Sequence, residues 1–198
     1  MKQFNHFIII VLLMTNHLQA QMPKKALLVI DLQQNLLDSG SRMHVDPSQI
    51  QALCDHVNQV IQSYQKNGWP VLYVTNEWTN PLLNFLTGNV VKKGAPGTGI
   101  DHRIDIVNQT IYKKSTGNAL ANKELAQAIK DQGIQELTLV GVFAENCIKE
   151  TMLSGLKNGY PVTIVEDAVG SRSARSQHRS IAYYKKKGAK IIQSAHSG

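Results

Sequence analysis

Between Glu136 and Gly159 the chain reads ELTLVGVFAENCIKETMLSGLKNG. Residues 137–142 form a short apolar run with β-branched members, polar before and turn-like after, the pattern of a strand buried on both faces. Beyond Phe143, Ala144, Glu145 and Asn146, one helical face collects Ile148, Thr151, Met152, Gly155 and Leu156. This stretch, a strand that hands directly to a helix, is one unit of the alternation that, repeated along a chain, marks an α/β architecture. It also puts Cys147 at a helix start, where free N–H groups and the helix dipole favour an anion, so the thiol is expected to be drawn toward thiolate.

The same alternation runs through the chain. Residues 26–30 are an apolar strand ending at Asp31, and Asp46-Pro47 caps a helix over 48–66 that stops at Asn67-Gly68. Residues 71–75 read as the second strand, 81–105 as loop with a short helix over 82–86, and 110–112 as a weak third strand leading into Lys113 and Lys114. A helix is expected over 118–132, strands over 161–165 and 189–192, and a last helix over 174–187. Such a chain predicts a three-layer α-β-α fold on a six-stranded parallel sheet ordered 3-2-1-4-5-6, joined by right-handed crossovers. Ligands of such sheets bind beyond the carboxyl ends of the strands, where the order reverses between the first and fourth. Asp31, one of Lys113 or Lys114, and Cys147 stand at three such ends.

Residues 1–20 stand apart. Lys2, an apolar run over 7–14 and Ala20 before Gln21 have the layout of a secretory signal peptide, and the run is too short to span a bilayer. The expectation is an exported chain, periplasmic or secreted, with a single domain over 21–198. The formal charge of +7 comes from bases scattered along the sequence, and Lys185 to Lys187 close a helix where cations suit the dipole, so a nucleic-acid partner is not expected. Cys54, one of two cysteines, lies on the apolar stripe Ile50, Leu53, Cys54, Val57, Val60, Ile61, Tyr64 and reads as core; a redox pair with Cys147 would need the two within disulfide reach.

Cysteine, acid and lysine at one rim make a nucleophilic apparatus: the acid takes the thiol proton, the lysine holds both anions, and the thiolate attacks a carbonyl. Here the chain resembles a known family. Leu28-Val29-Ile30-Asp31-Leu32-Gln33-Gln34-Asn35, Gly141-Val142-Phe143-Ala144-Glu145-Asn146-Cys147-Ile148 with Thr151 and Gly159-Tyr160, and Asp167-Ala168-Val169 with His178 resemble the motifs of the isochorismatase-like cysteine hydrolases, which include nicotinamidases and N-carbamoylsarcosine amidases. The resemblance implies a triad of Asp31, a lysine and Cys147, a cis peptide at Val142-Phe143, and an oxyanion hole from the N–H groups of Phe143 and Cys147. The family frame, carried here by Asn118-Ala119-Leu120 and Lys123-Glu124-Leu125, selects Lys114, and alternation along a strand lets only one of the two lysines face the cleft.

Gln33, Glu77, Trp78 and Leu120 are the expected pocket lining, while His178 is read as capping or packing within the last helix. Ala144, Leu120 and Lys123 depart from the threonine, phenylalanine and threonine common at those positions. None of the seven histidines forms the Asp-x-His-type cluster that nicotinamidases carry, so neither metal nor cofactor is expected, nor nicotinamide as substrate. The resulting expectation is C–N hydrolysis of an amide, ureide or carbamoyl group in a small molecule. A non-catalytic small-molecule-binding member and a vinyl-ether hydrolase of the isochorismate type are the alternatives. In this family pocket residues can come from a neighbouring subunit, and a homo-oligomer is expected.

Overall fold

The computed structural model describes residues 23–197, so the leader expected over 1–20 lies outside the described residues. Six parallel strands form one sheet in the order β3-β2-β1-β4-β5-β6: β1 Lys25–Ile30, β2 Val71–Asn76, β3 Ile111–Lys114, β4 Glu136–Gly141, β5 Val162–Val169 and β6 Lys190–Ile192. The order and the α/β class are those expected from the alternation of apolar runs.

Two cores explain why β1, β2 and β4 are apolar throughout rather than alternating. On one face, α2 (Ile50–Lys66) lays the stripe from Ile50 to Tyr64 against Leu27, Val29, Tyr73, Val140 and Val165. On the other, α4 (Lys123–Asp131), α5 (Lys149–Lys157) and α6 (Ala174–Lys187) cover Ala26, Leu28, Ile30, Leu139 and Ile164. Cys54 belongs to the first core and Cys147 to the second, and both are free, which overturns the redox-pair reading. Burial pushes the Cys54 thiol up to about 11, as expected of a packed, unreactive cysteine. Two short helices, α1 (Gln34–Leu37) and α3 (Pro81–Leu86), lie in the segments that follow β1 and β2. The Asn80 side chain caps α3 at the N–H groups of Leu82 and Leu83.

Four local expectations change. The third strand takes in both lysines, because β2 pairs with it through Thr75↔Lys113 and Asn76↔Lys114. The helix expected from residue 118 begins only at Lys123: Asn118 and then Asn122 each cap with their side chains, breaking the run into a 3-10 turn, Ala119–Ala121, and α4. β5 continues past residue 165 to Val169, which pairs with Gly141 after a shift of register. His178 is exposed on α6 rather than packed.

Candidate active site

The site is made where β1 and β4 end side by side. Gly141 has φ +118°, and a Cβ there would lie 2.0 Å from the Ile30 carbonyl oxygen, so only glycine lets the two strand ends close this tightly. Asp31 follows immediately with φ +57°, a left-handed conformation that aspartate tolerates better than most residues, and its N–H is held by the Val74 carbonyl at 2.8 Å. Its side chain is thereby turned out of the strand path, under the rim of the sheet. From β4 the chain passes through a cis Val142-Phe143 peptide into a π-helical turn, Ala144–Ile148, that carries Cys147.

That turn is fixed from behind. The Ala144 N–H donates to Gly170 O at 2.9 Å, and the Tyr184 hydroxyl of α6 donates to the Ala144 carbonyl. Glu145 accepts from the Ser171 hydroxyl at 2.7 Å, and the Arg172 guanidinium stands 5.3 Å over the Phe143 ring. Nothing in the sequence marked Tyr184, Ser171 or Arg172, since each reaches the turn only through the folding of β5 and α6 against it.

Lys114 joins Asp31 to Cys147. Its Nζ donates to Asp31 Oδ2 at 2.7 Å, to Cys147 Sγ at 3.3 Å and to the Thr116 carbonyl at 3.0 Å, which uses all three ammonium donors. All three side chains are almost wholly removed from solvent. Lys113, one residue back and on the other side of the strand, is exposed and pairs with Glu77 at 2.6 Å. The structure thus decides between the two lysines in favour of Lys114.

The electrostatics correct one expectation. Burial, and then the Asp31 charge, push the Cys147 thiol well above its ordinary range, against the opposing pull of Lys114. The expected shift toward thiolate fails because Cys147 sits not in the first turn of an α-helix but one turn earlier, in a nearly solvent-free pocket, where desolvation outweighs a helix dipole. Burial also raises Asp31, with Lys114 pulling it back down. Burial acts to lower Lys114, but the charges of Asp31 and Cys147 prevail and raise it. The arrangement is an ammonium between a carboxyl of raised basicity and a thiol whose ionisation burial opposes. Chemically it can pass the thiol proton to Asp31 while Lys114 steadies the sulfur.

The four expected lining residues divide. Gln33 is a buried strut: its amide donates to Asn76 O at 3.1 Å and Thr98 O at 2.7 Å and accepts the Asn76 N–H at 2.8 Å, so it ties three segments of the rim together. Glu77 is spent on Lys113. Trp78 packs half-buried against the first core, its N–H bonded to Val91 O at 2.8 Å. Leu120 faces away from the three groups: its side chain reaches toward Gly155, beside Val162 and Leu137 at the amino ends of β5 and β4, and it lines a separate cleft of about 220 Å³ with Ile129 and Tyr160. Among the described residues no three His, Cys, Asp or Glu side chains group to hold a metal ion.

Comparison with known proteins agrees with this architecture. The isochorismatase domain model matches residues 25–196. An isochorismatase family protein of Bacillus subtilis, described as uncharacterized, is 23% identical over 79% of this chain and 83% of its own. A probable inactive nicotinamidase of Arabidopsis thaliana is 25% identical over 83% and 90%. Among solved structures, a cysteine hydrolase of Pseudomonas syringae superposes with a TM-score of 0.79 at 14% identity, covering 87% of this chain and 89% of that one. A pyrazinamidase of Pyrococcus horikoshii, solved with zinc, gives 0.74 at 22% identity, covering 86% and 99%. With its six-stranded parallel sheet in the order 3-2-1-4-5-6 and a domain match over nearly all described residues, the chain belongs to the isochorismatase family.

Proposed function

We propose that this chain is a cysteine-dependent hydrolase of a C–N bond, in an amide, ureide or carbamoyl group of a small molecule. One observation carries the reading: a single buried ammonium, Lys114 Nζ, lies 2.7 Å from the Asp31 carboxylate and 3.3 Å from the Cys147 sulfur. Groups so costly to bury are kept together where chemistry needs them more often than where packing does.

In the proposed cycle the thiol gives its proton to Asp31 as sulfur attacks the substrate carbonyl carbon, forming the S–C bond and an oxyanion. The backbone N–H groups of Phe143 and Cys147 hold that oxyanion, a kind of interaction typically worth about 3 to 4 kcal/mol per donor. The oxyanion collapses, the C–N bond breaks, and the proton held by Asp31 passes to the departing nitrogen. Water then attacks the thioester, giving a proton to Asp31 that returns to the sulfur when the acid product leaves. Because burial opposes free ionisation of the thiol, proton transfer and attack are coupled, with Asp31, its basicity raised by burial, as the acceptor.

The second reading, a non-catalytic binding member, is favoured by the deep burial of the thiol and by the likeness to a relative described as probably inactive. Incubation with a panel of primary amides, ureides and carbamoyl compounds, followed by mass spectrometry of Cys147, separates the two. An acyl adduct on Cys147 with release of ammonia or amine supports hydrolysis; substrate binding with no adduct and no product supports the second reading.

Two further parts of the proposal concern the setting. The leader over 1–20 directs export, tested by sequencing the mature N-terminus. Self-association is the other: α3 exposes Leu82, Phe85 and Leu86 at 65%, 76% and 61%, and no charged residue occurs between Pro81 and Gly88. An uncharged apolar face on a basic chain suits a second copy of itself across a twofold axis, where charged faces would repel.

A further inference from the structure

At the carboxyl end of β2, beside Lys114 in the sheet register, stands Asn76. It is 4% exposed, and its Oδ1 has no hydrogen-bond partner among the described residues. Side-chain alternation puts it on the same face as Leu72 and Val74, the face whose core contains Cys147. Its backbone is fixed in place: the N–H is held by Gln33 Oε1 at 2.8 Å and the carbonyl by Gln33 Nε2 at 3.1 Å. A buried acceptor without a donor at the rim of the site is placed to take one from a ligand. Asp31 Oδ1, at the next strand end, is likewise buried and unpartnered. The site therefore presents two vacant acceptors, of which the proposed cycle uses only that of Asp31, for the departing nitrogen.

We infer that Asn76 is a specificity-determining residue whose Oδ1 accepts an N–H on the far side of the scissile carbonyl from the leaving nitrogen. This rests on the hydrolase reading and narrows it. A ureide or carbamoyl compound has nitrogen on both sides of its carbonyl and satisfies both acceptors; a plain carboxamide has carbon on the far side and leaves Asn76 unpaired in a dry site, which sites built for hydrogen bonding reject strongly.

The test compares methylurea with propionamide, in which CH₂ replaces the N–H, and with 1,1-dimethylurea, in which that nitrogen carries no hydrogen. For the wild-type chain, kcat/KM for methylurea is expected to exceed both others by roughly a hundredfold. Asn76→Leu should abolish the preference of methylurea over propionamide, read as the ratio of their kcat/KM values in the same variant, while Asn76→Asp, which keeps an acceptor, should retain a preference. Circular dichroism establishes that each variant is folded. A preference that is absent in the wild type, or that survives in Asn76→Leu, overturns the inference and leaves the hydrolase reading standing. If neither these probes nor the wider amide, ureide and carbamoyl panel acylates Cys147, the hydrolase reading falls, and the inference is judged by calorimetric binding of the same three probes to Cys147→Ala: tighter methylurea binding supports it, while equal binding or none overturns it.

Discussion

Lys114 spends its three donors on a carboxylate, a carbonyl and a sulfur, and this decides what its loss would do. Lys114→Ala leaves a buried carboxylate uncompensated and is expected to cost about 3 to 5 kcal/mol in urea denaturation, whereas the double variant Lys114→Ala with Asp31→Asn costs less than the sum, because the stranded charge is gone. Cys147→Ala removes only the attacking atom; turnover should fall by at least about a thousandfold with the cooperative unfolding transition retained. The pH profile follows from Asp31. It must be ionised to accept the thiol proton, and burial raises its pKa, so kcat/KM should rise with pH through a limb lying above the usual aspartate range of about 4. A limb at or below that value would argue against Asp31 as the base. The neutral thiol carries its own consequence: at pH 7 iodoacetamide should modify Cys147 no faster than free cysteine, checked by mass spectrometry over time. These residues were legible as types at strand ends, but their protonation was not, because desolvation depends on everything packed around them.

At the scale of elements, the site is a joint between β1, β3 and β4, held by one glycine and one tyrosine. Gly141→Ala would drive a Cβ into the Ile30 carbonyl at a φ that side chains rarely adopt, and a loss of at least about 2 kcal/mol is expected by chemical denaturation. Tyr184→Phe leaves the Ala144 carbonyl without its hydroxyl donor; a loss of about 1 to 3 kcal/mol should accompany a lowered kcat, because the turn bearing Cys147 is no longer fixed. The apolar runs announced β1, β2 and β4, and the stripe from Ile50 to Tyr64 announced α2 residue by residue, since periodicity reports burial directly. The extension of β5 to Val169 and the π-helical turn at Cys147 were not announced. Both follow from pairing with Gly141 and from bonds to Gly170 and Tyr184, partners between 26 and 40 residues away.

For the molecule as a whole, self-association through α3 makes Leu82→Asp with Phe85→Asp the informative variant. Sedimentation should show the wild-type chain as an oligomer and the variant shifted to monomer at the same concentration, with its fold unchanged because both side chains face solvent in a single chain. The sequence by itself determined the layers, the strand order and which side chains stand at the rim, because burial on both faces of a parallel sheet writes itself as uninterrupted apolar runs whose polar ends mark the rim. Only the tertiary structure decided that burial opposes ionisation of the Cys147 thiol, that Gln33 and Leu120 serve the scaffold, and that the Asn76 Oδ1 stands without a donor beside Lys114. Those outcomes depend on distance and desolvation among groups far apart in the chain, and no local pattern encodes either.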